Sequence, residues 1–99
     1  AWRARSFTFF TAVNPGIVYC SSTGYGQDGP KAQEAGHDLN YIGDAGLLGL
    51  SMGPLDRPVV PPALIADIAG GAYPAVMNIL LALEERRRTG RGRHLDVSM

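Results

Sequence analysis

Ala35-Gly36-His37-Asp38-Leu39-Asn40-Tyr41 opens, and Ile65-Ala66-Asp67-Ile68-Ala69-Gly70-Gly71 closes, the stretch around which the rest of the chain is organised. Two proton-carrying side chains, His37 and Asp67, stand near its ends, 67 − 37 = 30 positions apart. That gap holds a full loop and at least one helix boundary, so the two can face each other only through the tertiary fold. Acid/base pairs are usually assembled that way. The residues alone fit a helix-capping His-Asp pair beside an unrelated, partly buried Asp better than an acid/base pair, because most such pairs are structural.

Upstream, Asn14-Pro15-Gly16 is a turn signal. The apolar, β-rich run 17–21 that follows reads as a buried strand of a parallel sheet. Residues 23–30 carry Gly24, Gly26 and Gly29 in a loop at the carboxyl end of that strand, where open α/β sheets bind ligands. No Gly-Lys-Ser/Thr follows, and the glycine spacing runs into Pro30 instead of a helix, so neither a Walker loop nor a dinucleotide fingerprint is present. His37 and Asp38 precede Leu39, Tyr41, Ile42, Leu47 and Leu48, a short helical pattern with either polar residue at its start. A helix start offers unpaired N–H groups that can stabilise an oxyanion.

Downstream, Pro54, Pro58, Pro61 and Pro62 make residues 51–62 a connecting loop. Residues 63–88 then place Ile65, Ile68, Ala72, Val76, Ile79, Leu80 and Leu83 at helical spacing, with Asp67 in the first turns on or near the apolar face. Pro74 should kink or restart this helix, and Gly70-Gly71 permit close backbone approach. The helix stops at Thr89-Gly90-Arg91-Gly92, and residues 94–99 alternate as a strand with Leu95, Val97 and Met99 on one face. Residues 1–11 show no period and do not have the composition of a helix, so they receive no element. Strand, helix and strand together give an α/β class.

Ninety-nine residues suit one domain with a thin core. Nine basic and nine acidic residues cancel, against a nucleic-acid partner recruited by overall charge. Arg86, Arg87, Arg88, Arg91 and Arg93 cluster, fitting a phosphate-bearing partner less well than a solvated helix C-terminus. A single cysteine, Cys20, cannot form an internal disulfide, and no Cys/His spacing suits zinc, so no metal and a reducing, cytoplasmic setting are expected. Residues 1–10 lack the pattern of a signal peptide. Residues 63–83 are long and apolar, yet Asp67, Asn78, Pro74 and Gly70-Gly71 favour a buried helix of a soluble protein over a membrane span. His94 reads as a strand-surface residue, and Asp28, Asp44, Asp56 and Asp96 as turn or surface carboxylates. Trp2, Phe7, Phe9 and Phe10 are given no function.

Residues 18–30, the run 35–41, Asp67-Ile68-Ala69-Gly70-Gly71 and Thr89-Gly90-Arg91-Gly92-Arg93 together resemble the middle of family III CoA-transferases, the CaiB/BaiF group. The Gly-His-Asp-x-Asn-Tyr run is most similar to the α-methylacyl-CoA racemase branch of that family. The similarity runs from residue 13 to residue 99. It implies that residues 12–99 are an internal fragment of a large Rossmann-like domain and that the parent is an interlocked homodimer. The expected ligand is an acyl-CoA thioester, with no further cofactor. It implies further that His37 and Asp67 exchange donor and acceptor roles while a 2-methylacyl-CoA is racemised, and that Gly36, His37, Asp38, Leu39, Asn40 and Tyr41 line the acyl-CoA site. The Asp38 backbone N–H is then the oxyanion donor. The family's transferases imply an alternative in which the Asp67 carboxylate attacks the thioester and forms a mixed anhydride. A scaffold fragment without activity is the remaining reading.

Overall fold

The computed structural model describes residues 2–50 and 53–99. Two strands, β1 (Val18–Thr23) and β2 (Arg93–Ser98), pair in parallel from Val18↔Arg93 to Thr23↔Ser98. Parallel neighbours need a long crossover. Here it carries α2 (Asp38–Asp44), α3 (Leu47–Leu50), a π-helical segment (Ala66–Ala72) and α4 (Tyr73–Thr89). The sequence places both strands within two residues of their observed ends and puts Leu95, Val97 and Met99 on one face, of which Val97 is the buried member. The expected burial of β1 is not met, because most of its residues are half-buried. Among the described residues the sheet has no third strand to cover it.

The segment left without an element is a helix, α1 (Trp2–Val13). Its lack of period misleads because tertiary contacts, and not an amphipathic stripe, hold it. The Phe10 ring stacks on Tyr19 at 5.8 Å and the Phe7 ring on His94 at 4.9 Å, so aromatic packing on the sheet overrides a weak local preference. The turn after it forms as expected, with the Gly16 N–H donating to Asn14 Oδ1 at 3.0 Å.

The long helix predicted over 63–88 is present but begins differently. Its first turns are wound as a π-helix, and the Tyr73 N–H reaches back five residues to the Ile68 carbonyl. Pro74, which has no N–H to give, falls in the first turn of α4, where none is needed. Gly90, at φ 72°, closes α4 by donating its N–H to the Arg86 carbonyl at 2.8 Å. The expectation of a buried helix is met at Ala66, Gly71 and Ala82, while Val76, Leu80 and Leu81 are exposed. Residues Ala66–Thr89 are long and apolar enough to cross a membrane by length and composition, and 17 % of their most apolar window is buried.

The core that positions the site is small. Tyr41, Ile42 and Ala66 are buried together, with Tyr25, Leu48, Ile65 and Met99 packed against them. This cluster joins the start of α2 to the start of the π-helical segment.

Candidate active site

His37 is the residue before α2, in extended backbone at φ −131° and ψ 175°, and is exposed. Its N–H donates to Asn40 Oδ1 at 3.0 Å, half of a capping box that fixes where the helix starts. Asp38, the first residue of α2, is 5 % exposed, and its Oδ1 accepts the Asp67 N–H at 2.8 Å. One carboxylate therefore ties the π-helical segment to the residue that follows His37. The elements that carry His37 and Asp67 are thus joined at their starts through Asp38, although 30 positions separate the two residues in sequence (67 − 37). The N–H groups of Asp38 and Leu39 open the helix and so have no acceptor within it.

The six residues expected to line a substrate divide into two sets. Tyr41 is buried, its hydroxyl donates to the Gly36 carbonyl, and the edge of its ring meets Tyr25 at 5.0 Å between centroids. A Cβ on Gly36 would lie 2.8 Å from Tyr41 Cε1, and one on Gly24 would meet the Tyr41 hydroxyl and ring. Both glycines leave the space that the Tyr41 ring occupies. Gly36, Asp38 and Tyr41 thus build the frame, while His37, Leu39 and Asn40 are exposed. Gly70 and Gly71 do permit a close approach, but the visitor is Met99. A Cβ on Gly70 would stand 2.8 Å from the Met99 carbonyl oxygen, and one on Gly71 2.6 Å from Met99 Cγ.

Two clusters that the sequence did not single out hold this frame. Asp44, the last residue of α2, accepts from Lys31 Nζ and from the Tyr25 hydroxyl, each at 2.7 Å. The Lys31 ammonium, then the Tyr25 hydroxyl, hold the Asp44 carboxyl below the usual carboxylate range, and the same bonds push Lys31 and Tyr25 up. Behind the loop, His94 Nε2 lies 3.1 Å from Ser21 Oγ and 3.4 Å from Gln27 Nε2, and the Gln27 N–H reaches Asp96 Oδ2 at 3.4 Å. His94 is therefore a half-buried member of an aromatic and polar cluster, not a bare surface residue. Asp96 likewise has a framing contact. Cys20 is half-buried, and burial followed by the charge of Asp96 pushes its thiol up, which suits a packing role. No signal at short range could have announced these contacts, which join residues 13 to 73 positions apart.

Beside the junction lies a pocket of ≈ 370 Å³ between Asp38, Leu39 and Ile42 on one side and residues 60–64 on the other. Among the described residues, no three His, Cys, Asp or Glu side chains gather as metal ligands do.

The fold and this junction define an α/β protein that carries a His and an Asp at adjoining helix starts, beside a largely apolar pocket. Residues 7–99 match the sequence model of CoA-transferase family III, and the chain belongs to that family. It is 38% identical over 86 residues to the alpha-methylacyl-CoA racemase of Homo sapiens, covering 87% of this chain and 22% of that protein. It is 42% identical over 90 residues to the succinyl-CoA:glutarate CoA-transferase of Mus musculus, covering 88% of this chain and 20% of that protein. A crystal structure of a CAIB/BAIF family protein from Brucella suis superposes with a TM-score of 0.77 at 42% identity, over 89% of this chain and 23% of that one. The chain thus spans about a fifth to a quarter of the length of these relatives.

Proposed function

We propose that the full-length protein racemises 2-methylacyl-CoA thioesters by α-proton transfer, with His37 and Asp67 as the acid/base pair. The hydrogen beside a thioester carbonyl is weakly acidic because the resulting enolate places its charge on oxygen. Either His37 or Asp67 removes that proton from one face of the carbon, and the protonated partner delivers a proton to the opposite face. The α-carbon inverts and the two groups exchange protonation states, ready for the reverse handedness. The Asp38 N–H, at the open start of α2, stabilises the enolate oxygen. This chemistry asks for coenzyme A as part of the substrate and for no resident metal or organic cofactor, and it suits a soluble, cytoplasmic homodimer. One observation carries the reading: the 2.8 Å bond from the Asp67 N–H to the buried Asp38 carboxylate, which couples the Asp67 backbone to the residue next to His37.

A second reading is favoured by the likeness to the CoA-transferase of Mus musculus. There the Asp67 carboxylate attacks the acyl-CoA carbonyl to form a mixed anhydride, and the expelled CoA thiolate attacks the Asp67 carbonyl and releases the donor carboxylate. The acceptor carboxylate displaces CoA from that aspartyl thioester as a second anhydride, whose acceptor carbonyl the thiolate takes to give the new acyl-CoA and free Asp67. His37 distinguishes the two, since proton transfer needs it and the anhydride route does not. The test incubates the full-length protein with a 2-methylacyl-CoA in deuterated water without an acceptor acid and follows deuterium at the α-carbon by mass spectrometry. Entry of deuterium that falls by about 10²-fold or more in both His37→Ala and Asp67→Asn upholds racemisation. No entry, together with a new acyl-CoA on addition of a free carboxylic acid, transfers the assignment to the anhydride route.

A further inference from the structure

Asp67 lies in the segment Ala66–Ala72, which is wound as a π-helix ahead of α4. A π turn takes up one residue more than an α turn, so Asp67 stands roughly 100° around the axis and about 1.5 Å along it from where α4, continued backwards, would put it. The sequence supplies part of the cause. In a continuous α-helix position 74 would donate to the Gly70 carbonyl (74 − 70 = 4), but Pro74 has no N–H and its ring would press on that carbonyl. A wider turn separates the two.

The segment is also held from two sides. At its start the Asp67 N–H is bound by Asp38 Oδ1 at 2.8 Å. Further along, Gly70 and Gly71 lie on Met99, the residue after β2, whose own N–H donates to the Thr23 carbonyl at 2.9 Å and so ties it to the sheet. The two glycine contacts differ in kind. A Cβ on Gly70 would stand 2.8 Å from the Met99 carbonyl oxygen, which is anchored backbone, whereas one on Gly71 would stand 2.6 Å from Met99 Cγ, part of a flexible side chain. Relief of the first requires backbone to move, and relief of the second requires only a side chain. Helix preference alone would put Ala at both positions, so the glycines answer to this close approach.

We propose that Gly70 and Gly71 are positioning residues: they let the π-helical segment settle on the end of β2, and that seat fixes where Asp67 stands relative to the start of α2. The proposal rests on the reading that Asp67 moves a proton on an acyl-CoA, and it adds how that group is set in place.

The test makes Gly70→Ala, Gly71→Ala and Met99→Ala in the full-length protein, with Met99→Ala also combined with each glycine variant. It measures kcat and KM in the deuterium-exchange assay, for variants whose thermal midpoints stay above the assay temperature, and crystal structures of each. Gly70→Ala should move the Asp67 Cα away from Met99 by about 0.5 Å or more. It should lower kcat about 10- to 100-fold with KM within about twofold, because misplacing a reacting group slows the chemical step. Met99→Ala should not restore that loss, since the carbonyl remains. Gly71→Ala should lose less, about threefold to tenfold, and Met99→Ala should bring it within about twofold of Met99→Ala alone. Wild-type kcat in Gly70→Ala, a loss carried by KM, or a Gly71→Ala loss that Met99→Ala leaves in place overturns the proposal. If Gly70→Ala does not fold, the Gly71→Ala pair decides. If the wild type exchanges no deuterium, the racemase reading fails while the crystal structures still decide the seat: a displaced Asp67 in either glycine variant upholds it, and an unmoved Asp67 in both overturns it.

Discussion

Asp38 is the residue on which the site's geometry turns. Its carboxylate is nearly enclosed and its acceptor oxygen holds the Asp67 N–H. Replacement by Ala leaves that N–H without its partner in a partly buried place, at a cost of about 1–3 kcal/mol. Asp38→Asn retains a carbonyl oxygen in the same position. We expect Asp38→Ala to lower the thermal midpoint of the full-length protein and to raise the amide exchange rate at Asp67, with Asp38→Asn close to wild type. Equal exchange at Asp67 in both variants would dissolve the tether. Gly24 and Gly36 are sensitive for a different reason, since a methyl group at either must displace the Tyr41 ring. Gly36→Ala should destabilise by about 1–3 kcal/mol, read from denaturant midpoints, and an unchanged midpoint would mean that the ring can move aside. Of these features the helix start at His37-Asp38 is legible in sequence, because caps have a local chemistry. The Asp38 contact is not, because a side chain meeting a backbone N–H 29 positions away leaves no periodic trace.

At the level of elements, α2 is pinned at both ends, by Asp38 at its start and by Asp44 at its finish. The second pin is a charge contact at the surface and responds to pH. Asp44 titrates below the usual carboxylate range in the fold, so its contribution is complete above the unfolded value and disappears as pH falls through the folded one. Lys31 titrates above its ordinary value, so its contribution is present at neutral pH and disappears as pH rises through the folded value. The last turn of α2 should therefore loosen at both extremes, seen as faster amide exchange at Ile42 and Asp44. Asp44→Asn should abolish the acid limb, and an acid limb that persists in that variant would point to another group. The strands and the stop at Gly90 are legible from alternation and turn chemistry. The helix α1 and the π-helical segment are not. The first is decided by Phe7 and Phe10 stacking on the sheet, and the second places Gly70 and Gly71 against Met99, so both depend on partners remote in sequence.

On the scale of the whole chain, the radius of gyration is 16.7 Å and the extents are 52 × 28 × 15 Å. A compact domain of this length would have a radius near 13 Å, so the chain is a flat slab with one face of α4 uncovered. Val76, Met77, Leu80 and Leu81 are each more than half exposed, an apolar band that water does not favour. The 99-residue chain by itself should self-associate and bind a hydrophobic dye, and a Val76→Lys, Leu80→Lys double variant should reduce both. Light scattering checks this, and a monodisperse, dye-silent wild-type chain would be the contrary result. Finally, β1 and β2 are neighbours although their contacting residues, such as Ser21 and His94, lie 73 positions apart, and the junction of α2 with the π-helical segment is contained in the excursion between them. Such distant pairing closes slowly. During synthesis His37 and Asp67 leave the ribosome before β2, so the junction they flank meets a complete sheet late, and a stalled or truncated nascent chain would carry both residues without the second strand.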